Sequence, residues 1–559
     1  MKKRLVFSFC SIVLVLSMIL GPLACGEPVD TTTYRLTAAV TDLHESSNPF
    51  LASGRGDIRI MSRIYEPLVV GSGGAAIPRL AESWSYDDST MSWTFNLVQD
   101  AEWSDGEPLT AADVKYTLDT QYAGDYSGGG DSKEFVDTVT VVDDNTVKIT
   151  VTEYASAFLD FLNSMYIVPK HIWEDVADID TEANLAPVGS GPWLWDEYVP
   201  QSHVAFKKNP NYWGGTVNID EMVLEIYGSQ ELALLALKTG QVDMVPTVEL
   251  YSYIPQLLES TDVKVGVDRA ANFYNFLFVD HREEPNNLPA FRQAVSMAIN
   301  RQDIIDFALF TYGSIPRMVP LVPEAIASED VDWPGLGMTD EARIDEANAM
   351  LDADSDFSDF VEGETRTYKG DPLNIEMTIV NRPADVQQAE IIRENMAEIG
   401  INVSLKLIGF GPMMGMMFGG GWDDWTWSTA GHGAGGSTLD GLAQEFGADP
   451  YNVWYDAPSL GWGEDGDGGG TTAARALQAD LRQSRREDDP ATLATLIEQI
   501  QVDFAAELPI IPLSQGNTIY AYRLDTFTGW APQEEMDGQG SSGHLLGTIN
   551  ILALEPIAQ

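Results

Sequence analysis

The sequence predicts an α/β protein built from more than one structural unit, and three observations carry that expectation. Leu373, Ile375, Met377 and Ile379 alternate with their neighbours, Asp385 to Ile399 reads as a helix closed by Gly400, and Ile401, Val403, Leu405 and Leu407 alternate again. A strand, helix and strand of this length imply a right-handed parallel crossover. Val139-Thr140-Val141-Val142 and Thr146-Val147-Lys148-Ile149-Thr150-Val151 flank Asp143-Asp144-Asn145, which predicts a hairpin. Finally, 559 residues exceed what one hydrophobic core organises, so two or three units are expected.

The first segment stands apart from that fold. Lys2, Lys3 and Arg4 precede an apolar run from Leu5 to Leu20 that is short for a membrane span, so residues 1–24 read as a signal peptide. Leu23-Ala24-Cys25-Gly26 resembles a bacterial lipoprotein cleavage site, with Pro22 where leucine is usual, and this implies a lipidated Cys25 and a tether over 25–33. An ordinary secretory signal or an uncleaved anchor are the alternatives. Cys10 and Cys25 are the only cysteines, so loss of the signal leaves no intrachain disulfide to form. More than one acyl chain on Cys25 would hold the protein at a membrane, since each buried methylene contributes about 0.8 kcal/mol. The balance of 85 acidic against 32 basic residues, a net charge of -53, excludes nucleic acid and anionic membrane surfaces as partners and describes a dispersed, solubilising acidic surface.

The remaining elements follow in order. Tyr34 to Val40 reads as a first strand, and Ser92-Trp93-Thr94-Phe95-Asn96-Leu97 alternates as a half-buried strand after the turn chemistry of Asp87-Asp88-Ser89. Gly71-Ser72-Gly73-Gly74-Ala75-Ala76 superficially fits a dinucleotide fingerprint, but Ile77-Pro78 stands where a helix should open, so that reading fails. Thr110 with Asp113 resembles a capping box for a helix presenting Val114 and Leu118. Leu232 to Val245 reads as a helix stopped by Gly240 and then a strand. Phe291, Ala294, Val295, Ala298 and Ile299 form one buried helical face.

Several of these stretches carry a more specific likeness. Tyr65-Glu66-Pro67-Leu68, Leu80-Ala81-Glu82-Ser83-Trp84, Trp93-Thr94-Phe95 and the run from Trp103 to Val114 appear in order. Val188-Gly189-Ser190-Gly191-Pro192-Trp193, Asn209 to Gly215, Ala236 to Asp243, Arg292 to Arg301 and Glu507 to Leu513 follow. Together they resemble the extracellular solute-binding proteins of family 5, the oligopeptide-, dipeptide- and nickel-binding components of ABC importers. The resemblance implies a type II periplasmic-binding fold: two α/β lobes joined by a hinge, with an extra subdomain in the first lobe. On that pattern residues 34–66, 189–275 and 516–559 form lobe I, 67–188 the extra subdomain and 276–515 lobe II. It further implies a monomeric extracytoplasmic receptor without cofactor or catalytic residues. Such a receptor closes over a small solute, peptide or oligosaccharide, and delivers it to an ABC permease driven by ATPase subunits.

Candidate ligand residues cluster in Gly409 to Thr438, where methionines, glycines and tryptophans are interleaved. Trp422, Trp425 and Trp427 are expected as stacking platforms, with the alternative that Trp425 and Trp427 share one buried strand face. Met413, Met414, Met416 and Met417 read as core or as an adaptable wall. Gly420-Gly421-Trp422-Asp423 resembles a family step leading to an aspartate that pairs with a peptide's amino terminus, but His432 falls near that slot. Histidine cannot ion-pair an ammonium, so Asp423 or Asp424 must substitute if a free amino terminus is bound. His432 itself is either a ligand contact or part of an exposed glycine-rich turn, and with no histidine cluster an all-protein metal site is not expected. From the other lobe the resemblance points by position to Asn48, Tyr65, Phe273 and Asn275.

The nearest rivals within the family are an oligosaccharide receptor, because sugars stack on indoles, and a nickel-chelate receptor. A secreted hydrolase is the rival from another class, and carboxylates without a fixed spacing give it nothing specific. The acidic loop Gly461 to Gly470 lacks the alternating ligands of a calcium loop.

Overall fold

The computed structural model describes residues 33–41, 47–51, 55–70, 76–124, 126, 133, 135–155, 158–163, 165–281, 283–316, 334–409, 411–413, 416, 426–433, 472–487, 489–530 and 552–557. Residues 1–24 with their expected signal-peptide reading, Cys25 and residues 461–470 lie outside them. Among the described residues no helix is long and apolar enough to cross a membrane.

The expected first strand is β1 (Arg35–Val40). The predicted 92–97 strand follows a turn and pairs back as β2 (Ala81–Asp87) with β3 (Ser92–Leu97), and the predicted hairpin is β4 (Val136–Asp143) with β5 (Thr146–Val151). These four close a small antiparallel sheet, ordered β2-β3-β5-β4. The Asp143 carboxylate accepts from Asn145 N at 3.0 Å, the Asx geometry that makes this turn tight. The capping box holds in altered form: Thr110 N and Thr110 Oγ1 both donate to Asp113 Oδ2, at 2.8 and 3.1 Å, at the start of α2 (Ala111–Gly124). Its Val114 and Leu118 are buried as expected.

The large sheet is built from β1, β6 (Trp193–Val199), β7 (His203–Lys208), β8 (Glu221–Ile226), β9 (Met244–Val245), β10 (Val263–Val279), β11 (Gly313–Ser314), β12 (Asn374–Val380), β13 (Asn402–Ile408), β14 (Trp427–Gly433) and β15 (Ile511–Arg523). Their order is β13-β12-β14-β10-β15-β9-β1-β8-β7-β6, with β11 beside β15. The crossover read from the alternation is β12, α6 (Pro383–Ala397) and β13, and its two strands are parallel. Gly400 sits at φ 75°, a left-handed position that a side chain would strain, and so closes the helix. α1 (Arg55–Ile64), α3 (Gln230–Thr239), α4 (Pro289–Ala298) and α5 (Asp340–Asp352) complete the layers around the sheet.

Three apolar clusters show where the cores lie. One runs through the small sheet, α2 and the edge of the large sheet from β1 to β6. A second joins α3 to β9 and the first part of β10. A third draws on residues from Leu277 to Leu513, including Phe291, Met377, Ile392 and Trp427. Among the described residues, only β10 and β15 run through both halves as long strands. From Val263 to Asp268, β10 pairs with Arg523 to Thr518, and from Phe273 to Leu277 it pairs with Gly516 to Ile511. Between those blocks β10 advances five residues while β15 advances two, so the ladder is broken just where the chain leaves one core for the other.

Two of the quoted motifs have a plain physical reason. A Cβ on Gly189 or Gly191 would fall 2.0 Å from Ile64 O or 2.5 Å from Arg63 O, so the 188–193 loop reaches the end of α1 only as glycine. Glu66 of the Tyr-Glu-Pro-Leu motif is buried, accepts from Tyr212 Oη at 2.5 Å, and leaves Oε2 without a partner. Burial pushes its carboxyl up to about 7, against the opposing pull of Arg79 and the Tyr212 hydrogen bond. A carboxyl raised from 4.5 in the folded state contributes stability that is fully present below pH 4.5 and is lost as pH rises through about 7. Glu66→Gln is therefore expected to raise the melting temperature at pH 8, by a free energy on the order of 3 kcal/mol. The gain should shrink towards zero at pH 4.5; melts of both proteins across that range check it, and a pH-independent difference would contradict it.

Candidate functional site

Parallel strands gather their carboxyl ends on one side of a sheet, and neighbouring strands whose chains leave in opposite directions open a crevice there. The large sheet does this twice. In the first lobe β1 lies parallel to β8 and touches β9 in parallel, and in the second β12 lies parallel to both β13 and β14. The chain after β9 and the chain after β12 supply the charged groups.

After β9, Thr247 is held by two bonds: Arg59 Nη2 donates to its Oγ1 at 3.0 Å and Gln230 Nε2 to its O at 3.2 Å. Val248 N donates to Ile519 O on β15 at 2.7 Å, which fixes the loop to the connecting strand. Glu249 and Tyr251 follow, half-buried. After β12, Arg382 occupies the position before α6, whose Pro383 and lack of a side-chain cap leave the helix start open. Arg382 Nε and Asp385 Oδ2 pair at 2.6 Å. Burial pulls the Arg382 guanidinium down, but the carboxylates of Asp385 and of Glu249 from the other lobe outweigh it and the net shift is upward. Asp385 is held above the usual carboxylate range by burial, opposed by Arg382 and reinforced by Glu249. One guanidinium thus stands among two carboxylates contributed by both lobes. Beside them the Tyr251 ring stacks on that of Tyr312, with centroids 6.3 Å apart and planes at 13°, both packed against the cluster of α3 and β9.

The floor of this crevice is the broken ladder. Asn275 Nδ2 donates to Ser514 Oγ at 3.0 Å, and Ser514 Oγ reaches Gln388 Oε1 on α6 at 3.5 Å. The register sets His432 opposite Tyr274, Tyr274 opposite Gln515, and Gln515 opposite Ser314. Among the described residues no three His, Cys, Asp or Glu side chains converge to hold a metal ion.

The structure redistributes the residues expected from sequence. Asn275 lies at the floor, and Phe273 occupies the adjoining backbone position opposite Gly433 and Gly516. His432 is a strand residue of β14, not part of an exposed turn, because the ladder with β10 continues through Gly433. Trp427 is core: it is fully buried and donates from Nε1 to Asn286 Oδ1 at 3.0 Å, so no face is left for stacking. Met413 is buried as well. Asn48 is committed inside lobe I, donating to Ile179 O and Glu182 O at 2.8 and 2.9 Å and accepting from Phe50 N. Tyr65 is buried and accepts from Asn184 Nδ2 at 2.8 Å, so both serve the packing of that lobe. Trp422, Asp423, Asp424 and Trp425 lie outside the described residues.

Sequence reasoning passed over Arg382, Asp385, Glu249 and Tyr251. For Arg382 the available signal was positional: a charged residue two places after an alternating strand and directly before a helix-opening proline.

Asp385→Asn tests whether the Arg382 pair serves the fold or the crevice. The pair is partly exposed, so the variant should melt within about 1 kcal/mol of the parent without solute. Affinity for a charged solute should change at least about tenfold, the effect of altering one charge-assisted contact. A large loss of stability with unchanged affinity would make the pair structural.

The family model for bacterial extracellular solute-binding proteins, family 5 (middle region), matches residues 75–444. The nickel-binding periplasmic protein of Escherichia coli K12 is 26% identical over 375 residues, 62% of this chain and 66% of that protein, so the match spans just under two thirds of that relative. Di/tripeptide-binding protein 2 of Pseudomonas aeruginosa UCBPP-PA14 is 22% identical over 498 residues, 82% of this chain and 87% of that protein. Among solved structures, the oligopeptide-binding protein AppA of Bacillus subtilis with a bound nonapeptide superposes with a TM-score of 0.76 at 19% identity, over 94% of this chain and all of that one. This likeness shows the type II periplasmic-binding fold with two α/β lobes.

Proposed function

The chain belongs to family 5 of the bacterial extracellular solute-binding proteins, and from that membership we propose that it is the substrate-binding component of an ABC importer for a peptide-like solute. Family members are transport proteins that bind and release a solute unchanged. The observation that carries the peptide reading is the mixed charge set at the crevice: Arg382 suits a carboxylate, while Asp385 and Glu249 suit an ammonium. A short peptide carries both groups. Two carboxylates here also supply what the His432 slot does not, a partner for a free amino terminus. That relatives are named for di/tripeptides and oligopeptides supports the same direction.

The mechanism is closure. The lobes rotate about β10 and β15 at the Asp268–Phe273 break. A solute that touches Arg382 on one lobe and Glu249 on the other favours the closed form because only that form offers both contacts. Closed protein then docks on a membrane permease driven by ATPase subunits, with the chain held outside the cytoplasmic membrane by lipidated Cys25. The oligosaccharide reading is weakened because Trp427, its one described platform, is core. A nickel chelate keeps its place as a comparison because of the E. coli relative and of His432 at the floor of the crevice.

A thermal-shift screen of the chain from residue 26 tests the reading. Di- to pentapeptides at about a hundred times their dissociation constant should add about 2.7 kcal/mol of stability. N-acetylated peptides should give a smaller shift, since they lack the ammonium. A shift only with oligosaccharides or only with nickel chelates would overturn the peptide reading, and equal shifts with free and acetylated peptides would remove Asp385 and Glu249 from it.

A further inference from the structure

The lobes touch at a second place, away from the crevice. After the glycine-rich stretch the chain forms α7 (Thr472–Ser484) and α8 (Pro490–Glu507), joined by residues 485–489 into a helical hairpin. Leu477 and Leu481 of α7 and Ile497, Ile500 and Phe504 of α8 are buried.

The base of the hairpin is rooted in the second lobe. Arg292 of α4, itself buried, donates from Nε to Glu507 O and Leu508 O at 3.0 Å and from Nη1 to Asn286 O at 2.8 Å. Gln293 Nε2 adds a bond to Ala506 O at 2.7 Å. An α8 of 18 residues is about 27 Å long. Its other end therefore stands well away from that root.

The tip meets the small four-stranded sheet of the first lobe. The Arg485 guanidinium lies 5.1 Å from the Phe135 ring centroid and that of Arg486 lies 6.0 Å from it. Arg486 Nε pairs with Glu153 Oε1 at 2.8 Å. Phe135 is fully buried and stacks on Phe161 at 6.0 Å, and its carbonyl accepts from Thr152 N, so the receiving surface is rigid. The tip is ordered too: Asp489 Oδ2 accepts from Thr492 N at 3.0 Å to cap α8, and Asp489 N donates to Glu487 Oε1. In a chain with 85 acidic residues against 32 basic ones, two adjacent arginines seated on one aromatic ring are a specific contact rather than a solvated surface.

We propose that the α7–α8 hairpin is a clasp through which the extra subdomain takes part in lobe closure, with Arg485 and Arg486 seated on Phe135 and Glu153 when the lobes are closed and withdrawn when they open. The subdomain thereby gains a role that crevice contacts do not give it. The clasp shifts the open–closed balance without touching solute. It relies on the solute-binding reading only for the existence of the hinge motion.

The test needs no solute, so its outcome is separate from the identity of the ligand. Glu153 and Arg486 are both partly exposed, and variants there are expected to fold. In protein with Cys25 replaced by Ser, the Glu153→Cys, Arg486→Cys double variant should be bridged intramolecularly by a bis-maleimide of roughly 8 Å reach, longer than a disulfide spans, while neither single variant is. The cross-linked form should show slowed amide exchange in residues 268–273. Arg486→Glu should shift the open–closed balance roughly three- to tenfold towards open, read as a larger radius of gyration by small-angle scattering. Adding Glu153→Arg should restore the parent value. Absence of the cross-link, or a cross-link that leaves exchange at 268–273 unchanged, overturns the clasp. An unchanged radius of gyration in Arg486→Glu overturns it independently.

Discussion

The structure depends on two antiparallel strands that belong to both lobes at once. β10 and β15 pair with each other along both halves, β15 also pairing with β9 at one end and β10 with β14 at the other, so one hydrogen-bonded ribbon passes through two hydrophobic cores. A continuous ladder would make the lobes a single stiff sheet. The register shift of β10 between Asp268 and Phe273 interrupts that ladder, and β11 pairs with β15 at Gly516 and Gln515. With paired ribbon on either side of that break, the proposed closure would bend the molecule at one level. The crevice opens at the same level, because the carboxyl ends of the parallel strands in each lobe face it.

The chemistry of the crevice follows from that placement. Arg382 and Asp385 come from the start of α6, and Glu249 and Tyr251 from the loop tied to β15 through Val248. Glu249 acts electrostatically on both Arg382 and Asp385, which links the two chain segments. In the proposed mechanism, binding and closure are the same event seen from two sides.

Much of the fold was legible in the sequence because each local signal agreed with the tertiary answer. The alternation of Leu373 to Ile379 and of Ile401 to Leu407 with Gly400 between gave the crossover, and Asp143-Asp144-Asn145 gave the hairpin. The hinge was not legible. Residues 263–279 form one long strand, β10, and which neighbours it takes at either end is set by residues distant in sequence. The site was only partly legible, for a related reason. Trp427 looked like a binding tryptophan until its partner, Asn286, proved to lie 141 residues away in sequence, and Asn48 and Tyr65, named by position alone, are engaged in local packing. Arg382 is one of many charged residues in a charged chain, and it becomes distinctive only once β12 is known to end beside β14.

The measurement that bears most directly on the central claim is the distance between the lobes. Leu232 on α3 and Phe307 in the second lobe are both exposed, and the chain's own cysteines are Cys10 and Cys25 alone, so spin labels at introduced cysteines at 232 and 307 report on one pair. Pulsed electron–electron resonance should show the distance distribution move and narrow when a stabilising peptide is added, with labels placed within one lobe unaffected. An unchanged distribution in protein saturated with that peptide would contradict closure about β10 and β15.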